Sequence, residues 1–243
     1  MKHENERNEV VDYLRRMLVA RLTTGSGGNI SIRISGTDHF CMSPTGIGYD
    51  AMRPKDVVVM DGEGRVVAGK RAPSSEWRMH AAVYAARSDV GAIVHTHSAF
   101  AATFACLREE IPPVHYLIGF AGRNVPVAPY ATYGSEELAL AAAETLGRDH
   151  NAVLLATHGL LAVGHDVGMA FTVAEEIEFV AQIYWQTRAI GTPVLLSDEE
   201  MQRIIEKFRT YGQQIPTREE ISPAAPTSMI AGSDSPGDEE SER

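Results

Sequence analysis

Cysteine is nearly missing from this 243-residue chain, which has only Cys41 and Cys106. Two cysteines build no disulfide framework, and their spacing matches no zinc-finger pattern. Basic residues are also short, with 22 Lys and Arg against 32 Asp and Glu, for a net charge of −10 with histidine neutral. That balance excludes sequence-independent binding to nucleic acid, which needs a basic surface. It also excludes docking on anionic lipid. No apolar run approaches the roughly 18 residues that span a bilayer. The opening MKHENERNEV is too charged for a secretory signal. A reducing cytoplasm is the expected location.

What is present is a globular composition, 44% hydrophobic and 22% charged, and nine histidines. Histidine is the commonest metal ligand, so this excess over cysteine is the first sign of chemistry.

The negative charge is unevenly placed. From Thr217 onward, Glu219, Glu220, Asp234, Asp238, Glu239, Glu240 and Glu242 face only Arg218 and Arg243. Half of the net charge therefore lies in a stretch broken by Pro223, Pro226 and Pro236, without periodicity or aromatics. We read 216–243 as a disordered acidic tail and 1–215 as one domain.

Periodicity organises the body. Val10, Val11, Leu14, Met17, Leu18 and Leu22 recur at helical spacing, and the helix is expected to stop at Thr24-Gly25. Strands are expected at 30–34, 40–42, 56–60, 91–97, 124–129, 152–156 and 160–164. Asp61-Gly62-Glu63-Gly64 reads as a hairpin. Helices are expected at 75–86, 99–107 and 136–146, then a long one ending near Gly191. The last opens with Ser197-Asp198-Glu199-Glu200, a capping-box spacing. Helices interleave with strands, but the early strands are joined by short turns. The fold class is therefore α/β, with a mixed, mainly antiparallel central sheet covered by helices.

His95 and His97 lie two apart on an expected strand, so both imidazoles point to one face. His158 falls where the strand 152–156 ends, beside Gly159, whose freedom would permit a sharp turn. Three neutral imidazoles with an open fourth position are a catalytic zinc arrangement. The plainer reading is a set of partly buried sheet histidines with local hydrogen bonds, and spacing alone leaves both open. His80, His115, His150 and His165 read as structural, with His115 set apart only by adjacency to Tyr116.

Three stretches can hold an anion. Gly25-Ser26-Gly27-Gly28-Asn29 bares backbone amides, Ser43-Pro44-Thr45-Gly46 adds hydroxyls, and Ser74-Ser75 opens a helix. Each alone is also an ordinary turn or cap. Glu76 follows the paired serines as a candidate acid/base; as a plain first-turn acid it would earn only ~0.3–1 kcal/mol from the helix dipole. Tyr116 is a candidate proton donor.

In order and spacing, GGNIS (27–31), SPTGI (43–47), PSSEWRMH (73–80), HTHS (95–98), PPVHY (112–116), APYATYG (128–134), THGLLA (157–162), LSDEE (196–200) and EKFRTYG (206–212) resemble the class II aldolase/adducin family. The likeness runs from the first helix to about Gly212. It implies a three-layer α/β/α fold and a homotetramer with active sites between subunits. It also implies zinc-dependent cleavage of a ketulose 1-phosphate, of the L-fuculose 1-phosphate type, to dihydroxyacetone phosphate and a short aldehyde. By the same resemblance His95, His97 and His158 would hold zinc, and Glu76 would be the acid/base and an occasional metal ligand. Gly28, Asn29, Thr45, Gly46, Ser74 and Ser75 would bind the phosphate end. Tyr133 would meet the aldehyde, Tyr116 would reach in from a neighbouring subunit, and Tyr211 would contribute near the C-terminus.

The chemistry justifies a metal. Cleavage leaves an enediolate, and zinc lowers the pKa of bound water from ~15.7 to ~7, on the order of 10 kcal/mol. Related branches offer alternatives: 5-deoxyribulose or 5-methylthioribulose 1-phosphate aldolase, methylthioribulose 1-phosphate dehydratase, L-ribulose 5-phosphate 4-epimerase, and a non-catalytic adducin-type interaction domain. Glu76, where epimerases carry Asp, and His115-Tyr116 favour an aldolase. A scaffold has no use for the histidines. Thr96, Tyr133 and Thr157 depart from the L-fuculose pattern, which leaves the aldehyde partner open.

Overall fold

The computed structural model describes residues 2–209. Tyr211 and the expected acidic tail 216–243 lie outside the described residues.

Eight strands form one sheet in the order β4-β3-β2-β1-β5-β8-β7-β6. They are β1 (Asn29–Arg33), β2 (Phe40–Met42), β3 (Val58–Met60), β4 (Val66–Ala68), β5 (Ala92–Thr96), β6 (Val127–Ala128), β7 (Ala152–Leu155) and β8 (Gly159–Gly164). Every neighbouring pair is antiparallel except β6–β7, so the sheet is mixed and mainly antiparallel, as its short connections require. The expected strand 124–129 shrinks to two residues, because only Val127 and Ala128 pair with β7.

Among the described residues, six helices accompany the sheet: α1 (Glu4–Val19), α2 (Trp77–Ala86), α3 (Ala99–Leu107), α4 (Glu136–Leu146), α5 (Val167–Ile190) and α6 (Asp198–Arg209). Strand alternation sends side chains to two faces and makes two cores. Ile30, Ile32, Val94, Leu160 and Ala162 pack with Leu14, Phe104 and Ile177 of α1, α3 and α5. Ile93, Val153, Leu161 and Val163 pack with Met79, Val83 and Leu138 of α2 and α4. The result is a three-layer α/β/α sandwich. Among the described residues, no helix is long and apolar enough to cross a membrane.

Two helix boundaries differ from expectation. Helix α1 stops at Val19, well before Gly25, because Arg21 takes a left-handed φ of 59°. Arg21 N–H then bonds the Leu18 carbonyl and Leu22 N–H the Met17 carbonyl. This pair of bonds is a Schellman motif. Helix α2 begins at Trp77, not at Ser75, so Glu76 occupies its N-cap position without capping it.

Candidate metal centre

The cluster gathers at one end of the two central strands. His95 is the penultimate residue of β5, His97 follows that strand's end, and His158 lies in the turn between β7 and β8. Antiparallel pairing of Thr96 with Leu160 brings the turn alongside β5. The three ring centroids are 4.8–5.0 Å apart. Glu76 enters from the start of α2 and completes the group.

Close packing holds these groups in place. A Cβ on Gly28, where φ is +74°, would lie 2.4 Å from the His95 carbonyl oxygen, and one on Gly27 2.8 Å from His97 Nδ1. Glycine at these positions lets the loop lie against the histidines. Tyr49, which the sequence did not single out, donates its hydroxyl to the carbonyls of Gly27 and Gly28 at 2.8 and 2.7 Å. Gly159 is needed for proximity rather than for a turn, since its Cβ would meet the Thr96 carbonyl oxygen at 2.2 Å. The left-handed residue in that turn is Thr157, at φ 59°. A β-branched residue is strained there.

The donor set fits a divalent ion. Four ligand atoms, one from each residue, lie within 4.8 Å of one another. His95 Nε2 is 3.1 Å from His97 Nε2 and 3.2 Å from Glu76 Oε2, and His158 Nε2 is 3.3 Å from Glu76 Oε1. Tetrahedral zinc with bonds near ~2.05 Å sets ligands about 3.3 Å apart, so these spacings suit such an ion. His95 Nδ1 donates to the Leu160 carbonyl at 2.9 Å, which leaves the Nε2 lone pair facing the cluster. Among the described residues, the buried side-chain atom with no hydrogen-bond partner is Glu76 Oε1. His158 is in ion-pair range of that oxygen but not aligned for a hydrogen bond.

Electrostatics keep lone pairs available on His97 and His158. Burial opposes charge on Glu76, but His95, His158 and the Asn29 amide outweigh it and hold the carboxyl well below the usual range. Burial likewise opposes charge on His95, yet Glu76 raises it. Burial, then the charge of His95, pushes His97 and His158 down to about 4. Both are neutral at physiological pH, as ligation requires.

The expected anion-binding segments converge in part. Pro44 and Pro73 form a bridge, Ser74 N–H bonds the Ser43 carbonyl at 2.9 Å, and Thr45 N–H bonds the Ala72 carbonyl at 3.1 Å. Thr45-Gly46 is thereby drawn beside Ser74-Ser75. The hydroxyl of Ser43 is taken up by Ile30 N–H, and that of Ser74 by Glu76 N–H. Asn29 is directed elsewhere: its amide joins Glu76 and His80.

A cleft of about 320 Å³ opens over the cluster, lined by Ser75, Glu76, His97, Tyr130, Tyr133 and His158 among others. Tyr133 is thus at the site, together with Tyr130, which the sequence did not mark. Tyr116 is not. It is half exposed on a 3₁₀ turn, stacked with Phe208 at 6.2 Å. His115 packs on Tyr116 and Phe179, away from the cleft. His150 and His165 line another cleft of about 930 Å³, at the opposite end of β5 and β8. His80 was read as structural, but it is hydrogen-bonded to the site through Asn29. The signal for it was its position four residues after Glu76, on the same helix face.

A histidine–carboxylate centre at a sheet end, with a cleft above it, defines a metal-assisted enzyme of α/β/α architecture. Residues 8–185 match the family model "Class II Aldolase and Adducin N-terminal domain", and the chain belongs to that family. It is 51% identical to the 5-deoxy-D-ribulose 1-phosphate aldolase of Bacillus thuringiensis serovar kurstaki, covering 87% of this chain and 99% of that one. It is 40% identical to the L-fuculose phosphate aldolase of Escherichia coli strain K12, covering 88% and 99%. A solved L-fuculose 1-phosphate aldolase superposes with a TM-score of 0.84 at 43% identity, over 86% of this chain and 98% of the other. The protein is a class II aldolase, a lyase of carbon–carbon bonds acting on sugar phosphates.

Proposed function

We propose that this aldolase cleaves 5-deoxyribulose 1-phosphate, or its 5-methylthio analogue, to dihydroxyacetone phosphate and acetaldehyde or (methylthio)acetaldehyde, respectively. This replaces L-fuculose 1-phosphate as the leading substrate. The observation that carries it is the 51% identity to a 5-deoxyribulose 1-phosphate aldolase, against 40% to an L-fuculose phosphate aldolase. Tyr133, which departs from the L-fuculose pattern, lines the cleft and agrees with a different aldehyde half.

Each residue then has a task. His95, His97 and His158 hold the ion, which we take to be zinc, with Glu76 as a further ligand when substrate is absent. The ion supplies the Lewis acid that carries negative charge developing on substrate oxygens. Thr45, Gly46, Ser74, Ser75 and the Gly28 backbone grip the phosphate and fix the sugar by a remote handle. Glu76, a carboxylate at rest, takes up the proton released from the C4 hydroxyl and passes it to C3 of the ketose as the C3–C4 bond breaks. Tyr116 of a neighbouring subunit assists loss of the C4 hydroxyl proton, which explains its absence from the cleft of its own chain. A homotetramer in the cytoplasm completes the reading, and Tyr211 is assigned to the same substrate.

A substrate panel tests this: 5-deoxyribulose, 5-methylthioribulose, L-rhamnulose and L-fuculose 1-phosphates, with L-ribulose 5-phosphate, read by a reductase coupled to triose release. A higher kcat/KM for L-fuculose 1-phosphate than for both ribulose 1-phosphates overturns the substrate assignment. Glu76→Gln is expected to keep its metal and lose ~10²–10⁴-fold in kcat. Cleavage at full rate by that variant removes Glu76 from the acid/base role.

A further inference from the structure

Strand β1 presents Asn29, Ser31 and Arg33 to one face of the sheet, and α2 lays Glu76, His80 and Tyr84 against them at four-residue intervals. This polar seam lies between the two layers of an otherwise apolar core. Asn29 is 3% exposed, Ser31 0%, His80 0% and Tyr84 7%. Burying four polar side chains is costly unless each is hydrogen-bonded, and here each is.

The bonds form one unbranched series. Asn29 Nδ2 lies 2.9 Å from Glu76 Oε2, and Asn29 Oδ1 lies 2.6 Å from His80 Nε2. His80 Nδ1 lies 2.7 Å from Ser31 Oγ, and Ser31 Oγ lies 2.7 Å from the Tyr84 hydroxyl. One end is anchored, because Arg33 sits over the Tyr84 ring at 4.5 Å and donates to the Tyr84 carbonyl.

Donor counting sets its direction. An ionised carboxylate only accepts, so Asn29 must turn its NH₂ to Glu76 and its oxygen to His80. That oxygen requires a proton on His80 Nε2. A neutral imidazole then has an acceptor at Nδ1, which takes the Ser31 hydroxyl proton. Ser31 Oγ in turn accepts from Tyr84. Complete burial pushes His80 down to about 3, in keeping with a neutral ring.

We infer that the series Tyr84–Ser31–His80–Asn29 positions the Glu76 carboxylate, holding Oε2 in place and leaving Oε1, which has no hydrogen-bond partner, beside His158. His80 and Tyr84 are then positioning residues for cleavage, although neither touches the cleft. The inference rests on the reading of Glu76 as the acid/base. Without the series the Asn29 amide is free to flip, and the carboxylate loses its fixed rotamer.

Two independent measurements test it. Ring ¹⁵N shifts of His80 in the intact protein report its tautomer without any variant. Protonated Nε2 with bare Nδ1 is expected, and the opposite tautomer overturns the series. Kinetically, His80→Phe is expected to lower kcat by about 10–100-fold, with KM and bound metal unchanged, and His80→Gln to recover most of the loss. A kcat per folded molecule equal to that of the parent overturns the role. In the double variant His80→Phe with Glu76→Gln, kcat is expected to match Glu76→Gln alone, because both changes act on one group. Full-rate cleavage by Glu76→Gln sinks the acid/base reading by itself. An additive loss in the double variant, with Glu76→Gln impaired, sinks only the positioning role.

Discussion

At the scale of single residues, burial decides what a side chain becomes. Cys41 lies in the middle of β2 with 0% of its surface exposed. Its burial, partly offset by Arg7, pushes the thiol from its ordinary value near 9.0 up to about 12. The folded protein therefore favours the thiol, and this share of stability is complete below about pH 9 and declines as pH rises toward 12. At pH 10 the unfolded thiol has ionised and the folded one has not, a loss of about 1.4 kcal/mol relative to pH 8. We expect urea midpoints of the parent to fall more between pH 8 and pH 10 than those of Cys41→Ala. Parallel declines would show that the thiol contributes nothing. The cluster illustrates the same theme. The His-x-His spacing was legible, because strand alternation is a property of the backbone. Tyr49 was not, since it cannot be linked to the cluster before the sheet is assembled; His80 lay at helical spacing from Glu76, but its bond to Asn29 exists only once β1 is in place.

At the scale of elements, helix ends carried the surprises. Glycine is the usual residue past a helix C-terminus, so Gly25 was the natural place to end α1. Arg21 takes the left-handed position instead, at a steric cost of roughly 1 kcal/mol. Arg21→Gly is expected to raise stability by about 0.5–1 kcal/mol, visible as a higher thermal midpoint. A lowered midpoint would mean that the arginine side chain holds the turn. Helix α3 shows a different device. Ser98, its N-cap residue, makes no capping bond. Glu178 reaches across from α5, and its two oxygens accept from Phe100 and Ala101 N–H at 2.9 and 2.8 Å. A carboxylate at a helix N-terminus satisfies free amides and meets the positive dipole end. Removing it in Glu178→Ala should cost about 1–2 kcal/mol by chemical denaturation. It should also weaken metal binding, because α3 begins two residues after His97. Unchanged metal affinity would separate the cap from the site. Long helices and alternating strands were read correctly to within a few residues, since periodicity is local. A cap supplied from a helix far along the chain leaves no local mark.

At the scale of the whole molecule, the layer order and sheet character were legible from the short connections between early strands. The single parallel pair was not, because β6 is only two residues long. The centre draws on β5, the β7–β8 turn and the start of α2, with α3, β6 and α4 lying between the histidines in sequence. Its ligands therefore meet only after β5 has paired with β8 across a long intervening chain, and we expect so non-local a contact to form late in folding. An ion bound at that junction should barely change the rate at which the chain folds. It should instead lengthen the lifetime of the native state, since escape requires its release. In stopped-flow chevrons, added zinc is expected to lower the unfolding limb and leave the refolding limb in place. The metal that equips this protein for cleavage would then also act as its kinetic latch.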